Sequence, residues 1–162
     1  MIRPTHPAPP CPRPPRPPRL LAPGEGERLD VLGDRQTVKI SGAETGGAFA
    51  LIENVNPPGT GIPPHVHHRE DEAFYVLEGR VEFTVEGEAH EVEAGAVVFL
   101  PRGTAHGFRV VGDRPARMLI LLAPAGLEAY FRRLAALEGP PEPDALAALS
   151  EPFGIEFLPP PR

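Results

Sequence analysis

Cysteine occurs once, at Cys11, which excludes an intrachain disulfide and any metal site built from several thiolates. Long apolar runs are missing too. The longest, Met118 to Ala123, has the length of a strand and not of a membrane span, so no membrane association is expected. The amino terminus lacks the apolar stretch that a secretory signal needs, because prolines and arginines fill it, and a cytoplasmic protein is expected. Basic charge is scarce beyond that terminus. Arg3, Arg13, Arg16 and Arg19 stand among the first 19 residues without an acid, and setting them aside takes the formal net charge from −6 to about −10. So acidic a remainder offers no basic stripe to phosphate, and no nucleic-acid partner is expected.

Proline and glycine are plentiful instead, 24 and 17 residues, but unevenly spread. Nine of the prolines fall within the first 19 residues. Proline removes backbone donors and fixes φ, and little apolar surface is present there to offset the entropy of ordering. Residues 1–24 therefore read as a Pro/Arg-rich disordered extension. Its Pro12–Arg19 run favours polyproline II with PxxP spacing, although composition alone reads better as an unstructured tail or translated upstream sequence than as a docking ligand.

Residues 25–123 carry short apolar alternations broken by turn residues, the pattern of an all-β domain. Strands are expected at Thr37–Ser41, Ala48–Val55, Glu72–Leu77, Arg80–Val85, Ala89–Val92, Ala96–Leu100, His106–Val111 and Ala116–Leu122. That spacing suits a sandwich or barrel. Residues 124–162 change register. Leu127, Tyr130, Phe131, Leu134 and Leu137 recur at helical steps, and Gly139-Pro140-Pro141 ends the stripe. A second short helix is expected from about Asp144 to before Pro152, then an extended segment at Ile155–Leu158.

Two stretches carry the chemistry. The first runs Gly59-x5-His65-x-His67-x4-Glu72-x6-Gly79, and the second Gly95-x5-Pro101-x-Gly103-x2-His106. Residues two apart on a strand share a face, so His65 and His67 can look inward together. Glu72 opens the next strand, and His106 a later one. Pro57-Pro58 and Pro63-Pro64 are expected to stiffen the loop that delivers His65. Three imidazoles and one carboxylate make a donor set suited to one divalent transition metal with positions left for substrate. By strand alternation Phe74 and Val76 follow Glu72, and Phe108 and Val110 follow His106; with Phe83 they are the candidate apolar pocket. His6, His68 and His90 read as surface residues.

Both stretches resemble the two signature motifs of the cupin superfamily, over about Gly59 to Val110, and the closest likeness is to single-domain cupins similar to quercetin dioxygenases. The resemblance implies a small double-stranded β-helix, or jelly-roll, barrel with a C-terminal helical extension. It implies that His65, His67, Glu72 and His106 bind one metal, with Fe2+ or Mn2+ favoured and Zn2+, Ni2+, Co2+ or Cu2+ also suitable. The second motif usually ends in Asn four residues after its His, where this chain has Val110. A metal-dependent dioxygenase is expected, with Glu72 as the catalytic residue and O2 and a small apolar or aromatic, flavonol- or diketone-like molecule as substrates. The alternative is a non-catalytic metal- or small-molecule-binding cupin, or an isomerase that needs no O2, with Arg102 and Arg109 available to an anionic ligand. The family also implies a homodimer.

Overall fold

In the computed structural model, which describes residues 16–159, the alternating segments form two antiparallel sheets that face each other as a jelly-roll barrel. One sheet is built from β1 (Glu27–Val31), β2 (Asp34–Ile40), β3 (Ala50–Asn56), β10 (Ala116–Ala123), β5 (Asp71–Glu78) and β8 (Val97–Leu100), in that order. The other runs β11 (Ile155–Phe157), β4 (Gly61–His67), β9 (Ala105–Val111), β6 (Arg80–Val85) and β7 (Glu88–Glu93). Among the described residues there are also three α-helices, α1 (Gly42–Thr45), α2 (Glu128–Ala135) and α3 (Pro143–Ser150), and a 3-10 turn at Glu151–Phe153. Residues 1–15 of the expected extension, with most of its polyproline run, lie outside the described residues. No helix among the described residues is long and apolar enough to cross a membrane.

Period-two alternation places the core. Phe74 and Val76 of β5, Val81 and Phe83 of β6, Phe108 and Val110 of β9, and Met118, Ile120 and Leu122 of β10 all point between the sheets and are buried. Each such side chain contributes about 1.5–3 kcal/mol by leaving water. Phe74 and Phe83 meet edge to face with centroids 5.1 Å apart, an arrangement that adds to area burial.

The eight expected strands are present, with ends shifted by a few residues, the expected extended segment adds β11, and β1 and β4 are strands the pattern did not mark. β1 escapes a reading by pattern because ERLDV offers little apolar alternation; it is an edge strand paired only with β2. β4 corrects the expectation of a proline-stiffened loop before His65. Pro63 and Pro64 lie inside the strand, where the register against β9 shifts between Ile62 and His65. Proline cannot donate to the ladder, and this bulge takes both prolines out of it without ending the strand. The extended segment near Ile155 becomes β11, which pairs with β4 so that Phe157 lies opposite His65.

β4 and β9 approach each other too closely for side chains at two points. A methyl on Gly61 would sit on the Phe108 carbonyl oxygen, and one on Gly107 would lie 2.7 Å from the Ile62 oxygen. Glycine at these positions lets the strand carrying His65 and His67 lie against the strand carrying His106. The helix expected from Leu127 is α2, which ends at Ala135, short of Leu137. Glu128 anchors its start, accepting hydrogen bonds from the Gly42 and Gly126 amides at 2.7 and 2.9 Å. Arg132 ties its last turn to Glu27 of β1.

Candidate metal centre

The β4–β9 register sets His65 directly opposite His106, and alternation along β4 brings His67 to the same face. Glu72 comes from the facing sheet, two residues into β5, after the turn at 68–70 carries the chain from one sheet to the other. The four side chains are buried, and one donor atom from each lies within 4.8 Å of all the others. His65 Nε2 and His67 Nε2 stand 2.9 Å apart, and His106 Nε2 is 2.8 Å from Glu72 Oε2.

The outer nitrogens explain why the inner ones converge. His65 Nδ1 donates to the Pro63 carbonyl at 2.9 Å and His106 Nδ1 to the Thr104 carbonyl at 3.0 Å. Each bond fixes a proton on Nδ1 and turns Nε2 toward the barrel axis, the orientation a metal ligand needs. His106 Nε2, which donates to Glu72, would give up its proton to a metal. His67 Nδ1 has Glu70 Oε2 3.8 Å away, and both atoms are buried without another partner among the described residues. Glu70, placed in a polar turn by the sequence, is thus a buried carboxylate behind His67. Two imidazole nitrogens at 2.9 Å repel unless a proton or a cation lies between them. The donor set fits a divalent transition metal for that reason: nitrogen and oxygen ligands, buried, inward-facing and close.

Electrostatics agree with this fit. Burial, reinforced by the neighbouring imidazoles of His67 and His106, pushes the His65 pKa down to about 3. The ring is neutral in ordinary buffer, so no proton competes for its lone pair. Burial opposes ionisation of Glu72, but the His106 hydrogen bond and the surrounding imidazoles outweigh it and hold the carboxyl below its ordinary value. His106 moves the opposite way: burial disfavours its charge, and the bond to Glu72 raises its pKa overall.

A mostly apolar cavity of about 80 Å³ opens beside the cluster. Of the expected pocket residues, Phe74 and Phe108 line it; Val76, Phe83 and Val110 are buried in the core beyond them and do not. They lie farther along the strands than the metal level. Sequence reasoning missed the rest of the wall. Tyr130, Phe131 and Leu134 of α2 and Ile155 and Phe157 of β11 close one side, residues read as a helical stripe and a tail. On the other side Asp34 and Gln36 of β2 reach the cavity, and nothing in their local pattern marks them out. Burial pushes the Asp34 carboxyl up, while amides of Asn56, Gln36 and Asn54 hold it back. Arg102 and Arg109 do not line the cavity. Arg102 grips Asp71 through Nε and Nη2 at 2.9 and 3.0 Å, and Arg109 pairs with Glu82 at 3.1 Å. His68 and His90 are exposed, as expected.

Residues 53–122 match the model of the cupin domain family. The chain is 34% identical over 133 residues to quercetin 2,3-dioxygenase of Bacillus subtilis, an alignment covering 78% of this chain and 39% of that protein. It is 35% identical over 94 residues to polyketide synthase CurC of Streptomyces cyaneus, covering 57% of this chain and 60% of the relative. The chain thus spans less than two thirds of either relative. Among solved structures, KdgF from Halomonas sp. superposes with a TM-score of 0.61 at 21% identity, over 69% of this chain and 98% of that one. The polyketide cyclase RemF from Streptomyces resistomycificus gives 0.58 at 26% identity, over 65% of this chain and 78% of that one.

The His65 shift predicts a pH dependence of stability in metal-free protein. The unfolded chain takes a proton on this ring near pH 6.5 and the folded chain only near 3, so stability present above 6.5 is lost as pH falls through that window. Chelator-treated wild type should therefore lose stability relative to His65→Gln between pH 7 and pH 5, measured by urea denaturation. A difference that stays constant with pH contradicts the assignment.

Proposed function

The chain belongs to the cupin superfamily, and from that premise we propose that it is a metal-dependent, dioxygenase-type oxidoreductase acting on a compact apolar or aromatic molecule with diketone-like oxygens. The observation that carries the proposal is the convergence of His65, His67, Glu72 and His106 at one end of an apolar cavity. These four residues would hold the metal. When bound, a divalent transition metal supplies Lewis-acid and redox capacity with positions open to substrate oxygen and O2.

The chain's own residues do the rest. Glu72 is ionised and has Oε2 engaged by His106, while its nearest imidazole neighbour to Oε1 is His67 Nε2 at 3.6 Å. Oε1 is the atom free to take a proton from a substrate enol or hydroxyl. Phe74, Phe108, Phe131 and Phe157 exclude bulk water from the activated substrate. Size narrows the substrate class. The cavity is far below the roughly 300 Å³ at which pockets for drug-sized ligands begin, which favours a β-diketone over a three-ring flavonol. A flavonol would need α2 or β11 to move.

The likeness to CurC and RemF supports a second reading, rearrangement of a carbonyl-rich substrate without O2. An anion-binding role has less support, because Arg102 and Arg109 are taken by Asp71 and Glu82 on the surface. A homodimer is also proposed. Tyr75, Val97 and Phe99 form an exposed apolar strip, with Tyr75 opposite Val97 in register at the β8 edge.

Oxygen uptake with acetylacetone, beside quercetin, on protein loaded with Fe2+ or Mn2+ tests the activity. Uptake with the diketone is expected, and Glu72→Gln should retain metal while losing about 10²-fold or more in kcat. Product formation without O2 would favour the second reading, and absence of turnover and of binding with every first-row metal overturns both. Sedimentation velocity tests the dimer: Val97→Glu with Phe99→Glu should convert a dimer to a monomer, and a monomeric wild type contradicts it.

A further inference from the structure

The wall of the cavity away from the histidines is not apolar throughout. Asp34 and Gln36 alternate inward on β2, beside Asn54 and Asn56 on β3, and all four are buried. One carboxylate orients the three amides. Asp34 Oδ2 accepts from Gln36 Nε2 at 2.7 Å, and Oδ1 accepts from Asn54 Nδ2 at 2.7 Å and from Asn56 Nδ2. Each amide must turn its NH2 toward the carboxylate, because the reverse orientation would set oxygen against oxygen. Each carbonyl therefore faces away from Asp34. The Asn56 carbonyl accepts the Arg35 amide at 2.9 Å, whereas Gln36 Oε1 and Asn54 Oδ1 are buried with no partner among the described residues, and of these two residues Gln36 is the one at the cavity. Gln36 lines the cavity. A buried carbonyl without a donor is costly, and a strand placing one beside a ligand cavity is suited to a donor that arrives with the ligand.

We propose that Gln36 is a specificity-determining residue, oriented by Asp34, whose Oε1 accepts a hydrogen bond from a hydroxyl on the end of the substrate opposite its metal-facing oxygens. The inference deepens the functional reading above and rests on it. It assigns the substrate two poles. One bears oxygens and meets His65, His67, Glu72 and His106; the other bears a hydroxyl and meets Gln36. Phe74 and Phe108 flank the apolar stretch between. Asp34 is a positioning residue here, since its role is to stop the Gln36 amide from turning over. A substrate lacking the hydroxyl would leave Gln36 Oε1 dry and unpaired, and such pockets discriminate strongly against the missing group.

Two compact hydroxypyranones separate the poles. Kojic acid and allomaltol share the same hydroxyketone end and differ in one hydroxyl at the other, hydroxymethyl against methyl. Calorimetric titration of zinc-loaded protein, with metal content checked afterwards, should show kojic acid binding about tenfold or more tighter. In Gln36→Met the ratio should fall to about one, with allomaltol affinity little changed, because Asn54 and Asn56 still hold Asp34. Equal affinities in wild type overturn the proposal without any variant, and so does a preference that survives in Gln36→Met. Equal binding leaves the metal-centred reading standing; failure of both compounds to bind metal-loaded protein overturns that reading and this one together.

Discussion

The candidate metal centre depends on how three imidazole rings are held from behind. Two Nδ1 atoms are tied to carbonyls two residues earlier in the chain, Pro63 for His65 and Thr104 for His106, and the third faces the buried Glu70. These tethers turn three Nε2 atoms inward, where burial keeps His65 neutral while the bond to Glu72 raises the His106 pKa. Metal binding to such a cluster would replace mutual repulsion by coordination, so the contacts that are unfavourable between the bare donors would favour the loaded site. The close approach of β4 and β9, permitted by Gly61 and Gly107, and the β4 bulge at Pro63-Pro64 serve that convergence.

The four cluster residues were legible in the sequence because their reasons are local. A two-residue spacing puts His65 and His67 on one face, and a strand start puts Glu72 and His106 at the level where loops enter. The barrel was legible for the same reason, since Val81-x-Phe83-x-Val85 states which face is wet without reference to anything distant. β4 was not read as a strand because two prolines argue against a ladder, and only the partner strand shows that a bulge absorbs them. Val76, Phe83 and Val110 share a face with the cluster, but face alone does not give depth along the barrel axis.

The cavity wall was harder still, because it is assembled from segments far apart in the chain. Phe131 and Phe157 come from a helix and a short strand after the barrel, and Asp34 and Gln36 from its second strand. No periodicity connects them. Asp34 in a sequence is an ordinary turn-side acid; that it gathers three amides and leaves the Gln36 carbonyl bare beside the cavity is a fact of three-dimensional packing. The resulting cavity has a coordinating pole and an accepting pole separated by aromatic rings, a shape that selects a small, two-ended, oxygen-bearing molecule. Covered by α2 and β11, it also excludes the water that would intercept such chemistry.

Elemental analysis decides whether His65, His67, Glu72 and His106 hold a metal. Wild-type protein and His65→Ala are loaded with the same divalent transition metal, desalted and analysed for bound metal per chain. One equivalent is expected in wild type and little or none in the variant. A full equivalent retained by His65→Ala, or none bound by folded wild type, would contradict the assignment of these ligands.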